Sequence, residues 1–167
     1  MKQTITHILH ATDLSKHSAC TMRHAVSLAA STGAKLHVLH AVQPMSDETR
    51  TALKMYMQTT GSSETAEKER RAHARAVMAE RQKEFWNQVS AEDKSIQKQV
   101  ESIELVEGYP ADVILRRSVE LKCDLIIIGA HEQGFTQTFL GTVAKRVLRR
   151  SKIPTLVVPY RDTEENV

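Results

Sequence analysis

Residues 123–142 read CDLIIIGAHEQGFTQTFLGT, and the rest of the chain is arranged around this stretch. Leu125 to Ile128 form an unbroken apolar run, β-branched at three of four positions, which is typical of a strand buried on both faces of a parallel sheet. Gly129 ends the run, a polar loop follows, and Gly141-Thr142 opens a helix. This order directs backbone N–H groups and the positive end of a helix dipole at one place, which favours anions such as phosphate.

The composition limits the classes of protein that the chain can represent. Its 167 residues suffice for one domain with a sizeable core, and 41% hydrophobic and 26% charged residues are ordinary for a globular protein. The net charge of +3 is too small to indicate a nucleic-acid partner. Cys20 and Cys123 lack redox or metal spacing, which favours a reduced, cytoplasmic protein. No apolar run suits a signal peptide or a membrane span, so neither is expected.

The first forty residues predict a strand, a helix and a second strand. His7 to Thr12 is the first strand, with Asp13 at its carboxyl end. Ser15 is the expected N-cap of a helix from Lys16 to Thr32, and Lys35 to Val42 is the second strand. Such a βαβ unit requires a right-handed crossover and parallel strands.

The segment at about residues 46–90 is predicted to be a helical insertion. Asp47 to Thr60 is one expected helix, and Gly61-Ser62-Ser63 interrupts it. Glu64 to Val89 is rich in Glu, Lys, Arg and Ala and predicts a long amphipathic helix with a solvated charged face.

The remaining segments complete an alternating order of strands and helices. Strands are predicted at Gln99–Val106 and Ile153–Pro159, and helices at Ala111–Leu121 and Thr142–Ser151. The fold class is therefore α/β, a three-layer fold with a five-stranded, mostly parallel sheet and helices on both faces. The two prolines of the last strand suit an outer position. In such sheets ligands bind beyond the carboxyl ends of the strands, where the strand order reverses.

The chain resembles the universal stress protein family over nearly its whole length. The resemblance is specific because six short pieces occur in the same order and at matching intervals. The pieces are Ile8–Ser15, Leu36–His40, Gly108–Ile114, Cys123–Gly129, Gly141–Leu148 and Ile153–Pro159.

The resemblance implies an adenine nucleotide alpha-hydrolase-like fold, with residues 1–160 as a single domain and residues 161–167 as a tail. It also implies a homodimer, for which the strand Ile153–Tyr160 is the natural contact, because an outer strand leaves backbone groups that a second copy can pair with. Pairing across a two-fold axis must be antiparallel.

The family divides by its loop, and this loop is intermediate. Members that bind ATP carry Gly, two residues, Gly, nine residues, then Gly followed by Ser or Thr. Here Gly129 and Gly141-Thr142 are kept, but Glu132 occupies the second glycine position and the interval is one residue shorter. The shorter loop resembles the universal stress protein A class, usually taken not to bind ATP, although that class lacks the Gly-Thr pair.

Glu132 introduces a physical objection to a triphosphate. At ~5 Å and an effective dielectric constant near 20, two like charges repel by roughly 3 kcal/mol. Magnesium, an outward orientation of the side chain, or flexibility at Gly134 would reduce this cost. Replacing Glu132 by Gly is expected to raise nucleotide affinity if the repulsion limits binding.

The resemblance and the sheet edge together give a set of candidate nucleotide-binding residues. The family pattern places Asp13 near the ribose and Ala41 against adenine, while the loop glycines wrap the phosphates. Asp13 also has an alternative role as a cap beside Ser15. The full set is Ala11, Thr12, Asp13, Ala41, Val42, Gly129, His131, Glu132, Gly134, Gly141, Thr142 and Val143.

Three functions follow, in order of preference. The first is a stress-response binding and signalling protein that binds ATP or AMP, with Mg²⁺ if the ligand is a triphosphate. The second is a nucleotide-independent, dimeric interaction protein, and the third is a slow ATPase. No catalytic residue is assigned, because motifs such as GxSxG and GxxxxGK[ST] are missing. No metal site is expected from the eight histidines, since the pairs His7/His10 and His37/His40 point to opposite faces of their strands.

Overall fold

A computed structural model describes residues 4–57, 62–90, 93–130 and 140–159 of the chain. Strands and helices alternate as predicted, with two helices inserted after the second strand. The strands are β1 (His7–Ala11), β2 (Lys35–Val42), β3 (Val100–Glu107), β4 (Leu125–Gly129) and β5 (Thr155–Val158). The α-helices are α1 (Ser18–Thr32), α2 (Asp47–Met57), α3 (Ser62–Gln88), α4 (Pro110–Glu120) and α5 (Thr142–Arg150), and a 3-10 helix covers Asp93–Gln99.

The five strands form one sheet in the order β3-β2-β1-β4-β5, and every neighbouring pair is parallel. The chain first builds outward from β1 through β2 to β3, then crosses back to place β4 on the other side of β1. The strand order therefore reverses between β1 and β4, and this is where a cleft opens in such sheets. The predicted three-layer α/β fold is confirmed, including the outer position of the last strand.

Each face of the sheet carries its own apolar core. On one face Ile8, Leu36 and Ile127 pack with α1, α3 and the 3-10 helix. On the other face Leu9 and Ile126, with other strand residues, pack with α4 and α5. Because alternate strand residues point to opposite faces and both faces are covered here, β4 is a continuous apolar run, LIIIG.

The inserted helix α3 contributes to the core on the α1 side. Met78, Phe85 and Trp86 are buried there, and the indole N–H of Trp86 donates to Oε1 of Gln82 at 3.2 Å. The other face of α3 is largely exposed and charged, as predicted. The charged face also forms an ion pair that links Arg71 to Glu107 at the end of β3. Phe85 and Trp86 pack in the same core as Ile8, and this packing places the C-terminal end of α3 beside β1.

Several element boundaries differ from the prediction. Helix α1 begins at Ser18 rather than near Lys16, and its N-cap is His17 rather than Ser15. Ser15 is instead held in a turn, because its N–H donates to Asp13 and its carbonyl accepts from Ser18. Ser62 and Ser63, predicted to lie in a break, belong to α3, since serine is tolerated in the first helical turn. Residues 58–61 of that break, Tyr160 of the predicted last strand and the 161–167 tail lie outside the described residues.

Candidate functional site

The turn after β1 is ordered by its own short side chains. Oγ1 of Thr12 accepts from the N–H of Leu14 at 3.1 Å, and Oδ1 of Asp13 accepts from the N–H of Ser15 at 2.9 Å. These bonds hold Leu14 in the left-handed region, with φ of 62°. Asp13 remains exposed at the carboxyl edge of the sheet while one of its oxygens caps the turn. Asp13 therefore caps the turn that precedes α1 and is not the helix-initiating cap considered from the sequence, because the N-cap of α1 is His17.

The end of β2 is tied to the same turn. The N–H of Thr12 donates to the carbonyl of Leu39 at 2.9 Å, which extends the β1–β2 pairing by one step. Nδ1 of His40 lies 2.8 Å from the Thr12 carbonyl, so the imidazole supports the turn from the neighbouring strand. Ala41 follows directly and faces the α4 side of the sheet.

Helix α5 begins close to the end of β4. The N–H of Gly141 donates to the carbonyl of Ala130 at 2.8 Å, which closes the excursion between strand and helix. Gly141 is the N-cap in an extended conformation and makes no side-chain cap, and Thr142 is the first helical residue. The positive end of the α5 dipole therefore lies beside the β4 terminus, as the sequence predicted.

A cavity of about 670 Å³ opens at this edge of the sheet, between the ends of β1, β2 and β4 and the start of α5. Seven of the twelve predicted site residues line it: Ala11, Thr12, Asp13, Ala41, Gly129, Gly141 and Val143. Val42 and Thr142 are not among the lining residues, and Val42 is buried. His131, Glu132 and Gly134 lie outside the described residues.

Positive charge lines the cavity from a helix that the sequence did not connect with it. Lys16 follows the β1 turn, while Arg81 comes from α3. Nε of Arg81 donates to the Leu14 carbonyl at 3.4 Å, and Nη1 donates to Glu84 at 2.8 Å. Among the described lining residues Lys16 and Arg81 are the Lys and Arg side chains and Asp13 is the carboxylate, and the charge of Arg81 is partly balanced by its ion pair with Glu84. No sequence signal pointed to Arg81, because only the packing of α3 brings it there.

The structure brings two histidines from neighbouring strands together. Nδ1 of His7 lies 3.0 Å from Nε2 of His37, and Nδ1 of His37 lies 2.8 Å from the Ser102 hydroxyl. Burial, followed by the nearby His7, lowers the pKa of His37. The described parts of the chain contain no cluster of three or more His, Cys, Asp or Glu side chains suited to a metal ion.

Cys20 and Cys123 are both free thiols. Burial raises the pKa of the Cys123 thiol to about 12, so this thiol is protonated at neutral pH and a poor nucleophile. Among the helices within the described ranges, none is both long and apolar enough to span a membrane.

An open parallel sheet with a cavity at its switch point defines a class, the α/β proteins with a cleft beyond the carboxyl ends of their strands. The family model described as Universal stress protein family matches residues 4–159. The chain therefore belongs to the universal stress protein family, which confirms the resemblance of its six sequence pieces.

Three relatives illustrate the similarity. Universal stress protein MJ0577 of Methanocaldococcus jannaschii is 22% identical over 157 residues, covering 93% of this chain and 96% of that protein. The structure of the universal stress protein UspA from Lactobacillus plantarum has a TM-score of 0.72 at 21% identity, covering 94% of this chain and 99% of that one. A universal stress protein in complex with cAMP has a TM-score of 0.56 at 24% identity, covering 93% and 98%. At these identities the structural likeness shows the fold alone.

Proposed function

We propose that this protein binds an adenine nucleotide, ATP or AMP, at the edge between β1 and β4, and acts as a stress-response binding and signalling protein. The observation that carries the proposal is the cavity of about 670 Å³ at the switch point. Its volume falls within the ~300–1,000 Å³ of typical small-molecule sites, and its position is the one where open α/β sheets bind ligands.

The charge of the cavity supports a phosphorylated ligand. Lys16 and Arg81 line the cavity, and the N-terminus of α5 adds a positive dipole end at the same edge. The relative that was crystallised with cAMP shows that a protein of this fold accommodates an adenine nucleotide. In this proposal Asp13 contacts the ribose, Ala41 contacts the base, and Gly129, Gly141 and Thr142 contact the phosphates. Mg²⁺ accompanies the ligand if it is a triphosphate.

Isothermal titration with ATP and AMP, each with and without Mg²⁺, tests the proposal. We expect saturable binding of at least one nucleotide at micromolar concentrations, and GTP at the same concentrations serves as the control for base recognition. Absence of heat with either adenine nucleotide at high micromolar concentration would contradict it. Comparing ATP with and without Mg²⁺ also measures how strongly the loop carboxylate of Glu132 opposes a triphosphate.

A nucleotide-independent interaction protein is the second candidate, and one observation favours it. Oδ1 of Asp13 is already used to cap the N–H of Ser15, so the turn is stable without a ligand. In this candidate the working surface belongs to a homodimer paired through β5, in the cytoplasm. Slow ATP hydrolysis ranks last. Asp13 is the one carboxylate among the described lining residues, and its position gives no reason to assign it as a general base.

A further inference from the structure

Three polar side chains are connected by hydrogen bonds across β1, β2 and β3, near the amino ends of these strands. Nδ1 of His7 lies 3.0 Å from Nε2 of His37, and Nδ1 of His37 lies 2.8 Å from Oγ of Ser102. We call His7, His37 and Ser102 the histidine relay. The nucleotide cavity lies at the carboxyl ends of the strands, and none of these three residues lines it. The proposed function therefore does not explain the relay.

The two imidazole rings of the relay meet in line rather than face to face. Their planes differ by 13° and their centroids are 5.3 Å apart. Together with the contact of 3.0 Å between the two nitrogens, this separation requires both nitrogens to lie close to the line that joins the centroids. The contact between His7 and His37 is therefore a nearly linear N–H···N hydrogen bond, which is the favoured orientation.

A β-bulge in β3 positions the serine of the relay. In the pairing of β2 with β3, Leu36 is opposite Val100. The next residue of β2, His37, is opposite Ser102, so Glu101 is an extra residue of β3. Without this extra residue, Glu101 would be the partner of His37. Bulges redirect side chains in this way, and His37 is only 4% exposed, so its ring nitrogens depend on protein partners.

The geometry of the relay limits the number of protons that it can hold. With both rings neutral, one proton lies in the contact between His7 and His37 and one in the contact between His37 and Ser102. One added proton leaves both bonds intact, because a protonated imidazole donates from both of its nitrogens. A second added proton places an N–H on each side of the contact of 3.0 Å. The bond between the rings is then lost, and two positive charges repel each other at close range.

Charged side chains from the neighbouring elements modify this repulsion. They are Lys35 of β2, Glu101 and Glu104 of β3, Asp124 before β4 and Arg117 of α4. Lys35 pairs with Glu101 at 3.1 Å and Arg117 pairs with Glu104 at 2.6 Å, so both glutamates are already partly neutralised. Burial, followed by the charge of His7, lowers the pKa of His37 against the smaller opposing effects of the two glutamates.

We propose that the histidine relay is an acid-sensitive junction, which ties β1, β2 and β3 together at neutral pH and comes apart when both imidazoles are protonated. Because the pKa of His37 in the folded protein lies below its ordinary value of 6.5, the folded protein binds fewer protons than the unfolded chain between these two values. The contribution of the junction to stability is therefore complete above that ordinary value. It is lost as the pH falls from there towards the folded pKa.

Urea denaturation at pH 7 and at pH 5 tests the junction with the wild type, His7→Gln and His37→Gln. Glutamine keeps a hydrogen-bonding group at each position but takes up no proton. Between the two pH values, the unfolding equilibrium constant of the wild type should rise about threefold more than that of His7→Gln, which lacks the repulsion between the rings. His37→Gln should show the smallest rise.

Two other histidines serve as internal references. Burial lowers the pKa of His10 to about 4, so this residue also makes the fold sensitive to acid. It is unchanged in every variant, and its contribution cancels in the comparison. His24→Gln, the same change at an exposed position of α1, should follow the wild type at both pH values.

Equal pH dependence of the wild type and His7→Gln would overturn the proposal, because burial of His37 alone would then account for the acid response. If the variants do not fold, an NMR titration of the wild type replaces them. The ring resonances of His7 and His37 should move in two separate steps, and the amide resonance of Ser102 should move with the second step. Uptake of both protons in one common step would overturn the junction.

Discussion

Arg81 of α3 lines the cavity, and its positively charged guanidinium donates a hydrogen bond to the Leu14 carbonyl. Replacing it by Gln should reduce affinity for AMP and ATP about fivefold, because one charge at several ångströms in a partly solvated site contributes roughly 1 kcal/mol. Adenosine, which has no phosphate, should bind the variant as it binds the wild type. Titration calorimetry with both ligands measures this difference. Arg75→Gln, an exposed arginine of the same helix outside the cavity lining, is the matched control. Equal losses for adenosine and AMP would contradict an electrostatic role.

Asp124 stabilises the start of β1 from the opposite edge of the sheet. Its Oδ2 accepts from the hydroxyl and the N–H of Thr6, both at 2.7 Å, and from the N–H of His7 at 3.0 Å. These bonds, chiefly those from Thr6, lower the pKa of the Asp124 carboxyl. Because the folded pKa lies below the unfolded one, the stabilisation is complete above the ordinary carboxyl range and is lost as the pH falls through the folded pKa.

Asp124→Asn should therefore lower the free energy of unfolding by about 1 kcal/mol at pH 7, a value that allows for solvent screening at this partly exposed site. The difference between wild type and variant should shrink at pH 3 and below. Urea denaturation at both pH values measures it. A difference that is the same at pH 7 and at pH 2.5 would show that the charge of Asp124 is unimportant.

The sequence analysis found those site residues that directly follow the end of a strand. Asp13 and Gly129 were found because a residue directly after an apolar run must lie at the carboxyl edge of the sheet. Arg81 was missed because it reaches the cavity only through the packing of α3, which no sequence pattern reports.

At the scale of elements, α4 ends in a conformation that favours glycine. Lys122 follows the C-cap Leu121 with φ of 53°, and its N–H donates to the Val119 carbonyl at 3.0 Å. A non-glycine residue in this left-handed region is strained, and Lys122 is exposed, so its side chain is dispensable for packing. Lys122→Gly should raise the free energy of unfolding by about 0.5 kcal/mol, the relief of strain minus the added entropy of the unfolded chain.

Urea denaturation of Lys122→Gly and Lys122→Ala separates strain from loss of the side chain. Alanine removes the charge and the long side chain but keeps the Cβ atom, so it should leave stability within the error of the wild type. A stabilisation by alanine equal to that by glycine would contradict the argument from backbone strain.

The strands were easier to predict than the turns between them. β2 begins and ends at the predicted residues, and β4 exceeds the prediction by one residue, because their side chains are buried on both faces and admit no other pattern. The start of α1 was predicted two residues early because Ser15 has the chemistry of an N-cap. Asp13 and Thr12 instead use the same kind of side-chain bond to form the preceding turn. Short polar side chains can satisfy either arrangement, so sequence alone could not choose between them.

At the scale of the whole molecule, the reversal of strand order has two consequences. It opens the cavity between β1 and β4, and it places β5 at the outer edge of the sheet beyond β4. The N–H of Ile126 donates to the Pro154 carbonyl, and that of Ala130 donates to the Val158 carbonyl. By the two-residue period of a strand, Leu156 also bonds to β4, whereas the backbone groups of Thr155 and Val157 point outward. These outward groups are the ones that a second copy of the chain would pair with.

If the protein is a homodimer through β5, then Val157→Pro should convert it to a monomer, because proline removes an outward N–H without breaking the bonds to β4. Light scattering after size-exclusion chromatography should give the mass of two chains for the wild type and of one for the variant, with an unchanged circular dichroism spectrum. Leu156→Pro is the control, since it removes an inward N–H and should destabilise the fold instead. A dimeric and fully folded Val157→Pro variant would exclude antiparallel pairing through this edge. A monomeric variant that still binds AMP with wild-type affinity would show that each chain holds a complete site, as expected because the described residues lining the cavity come from the strands, turns and helices of a single chain.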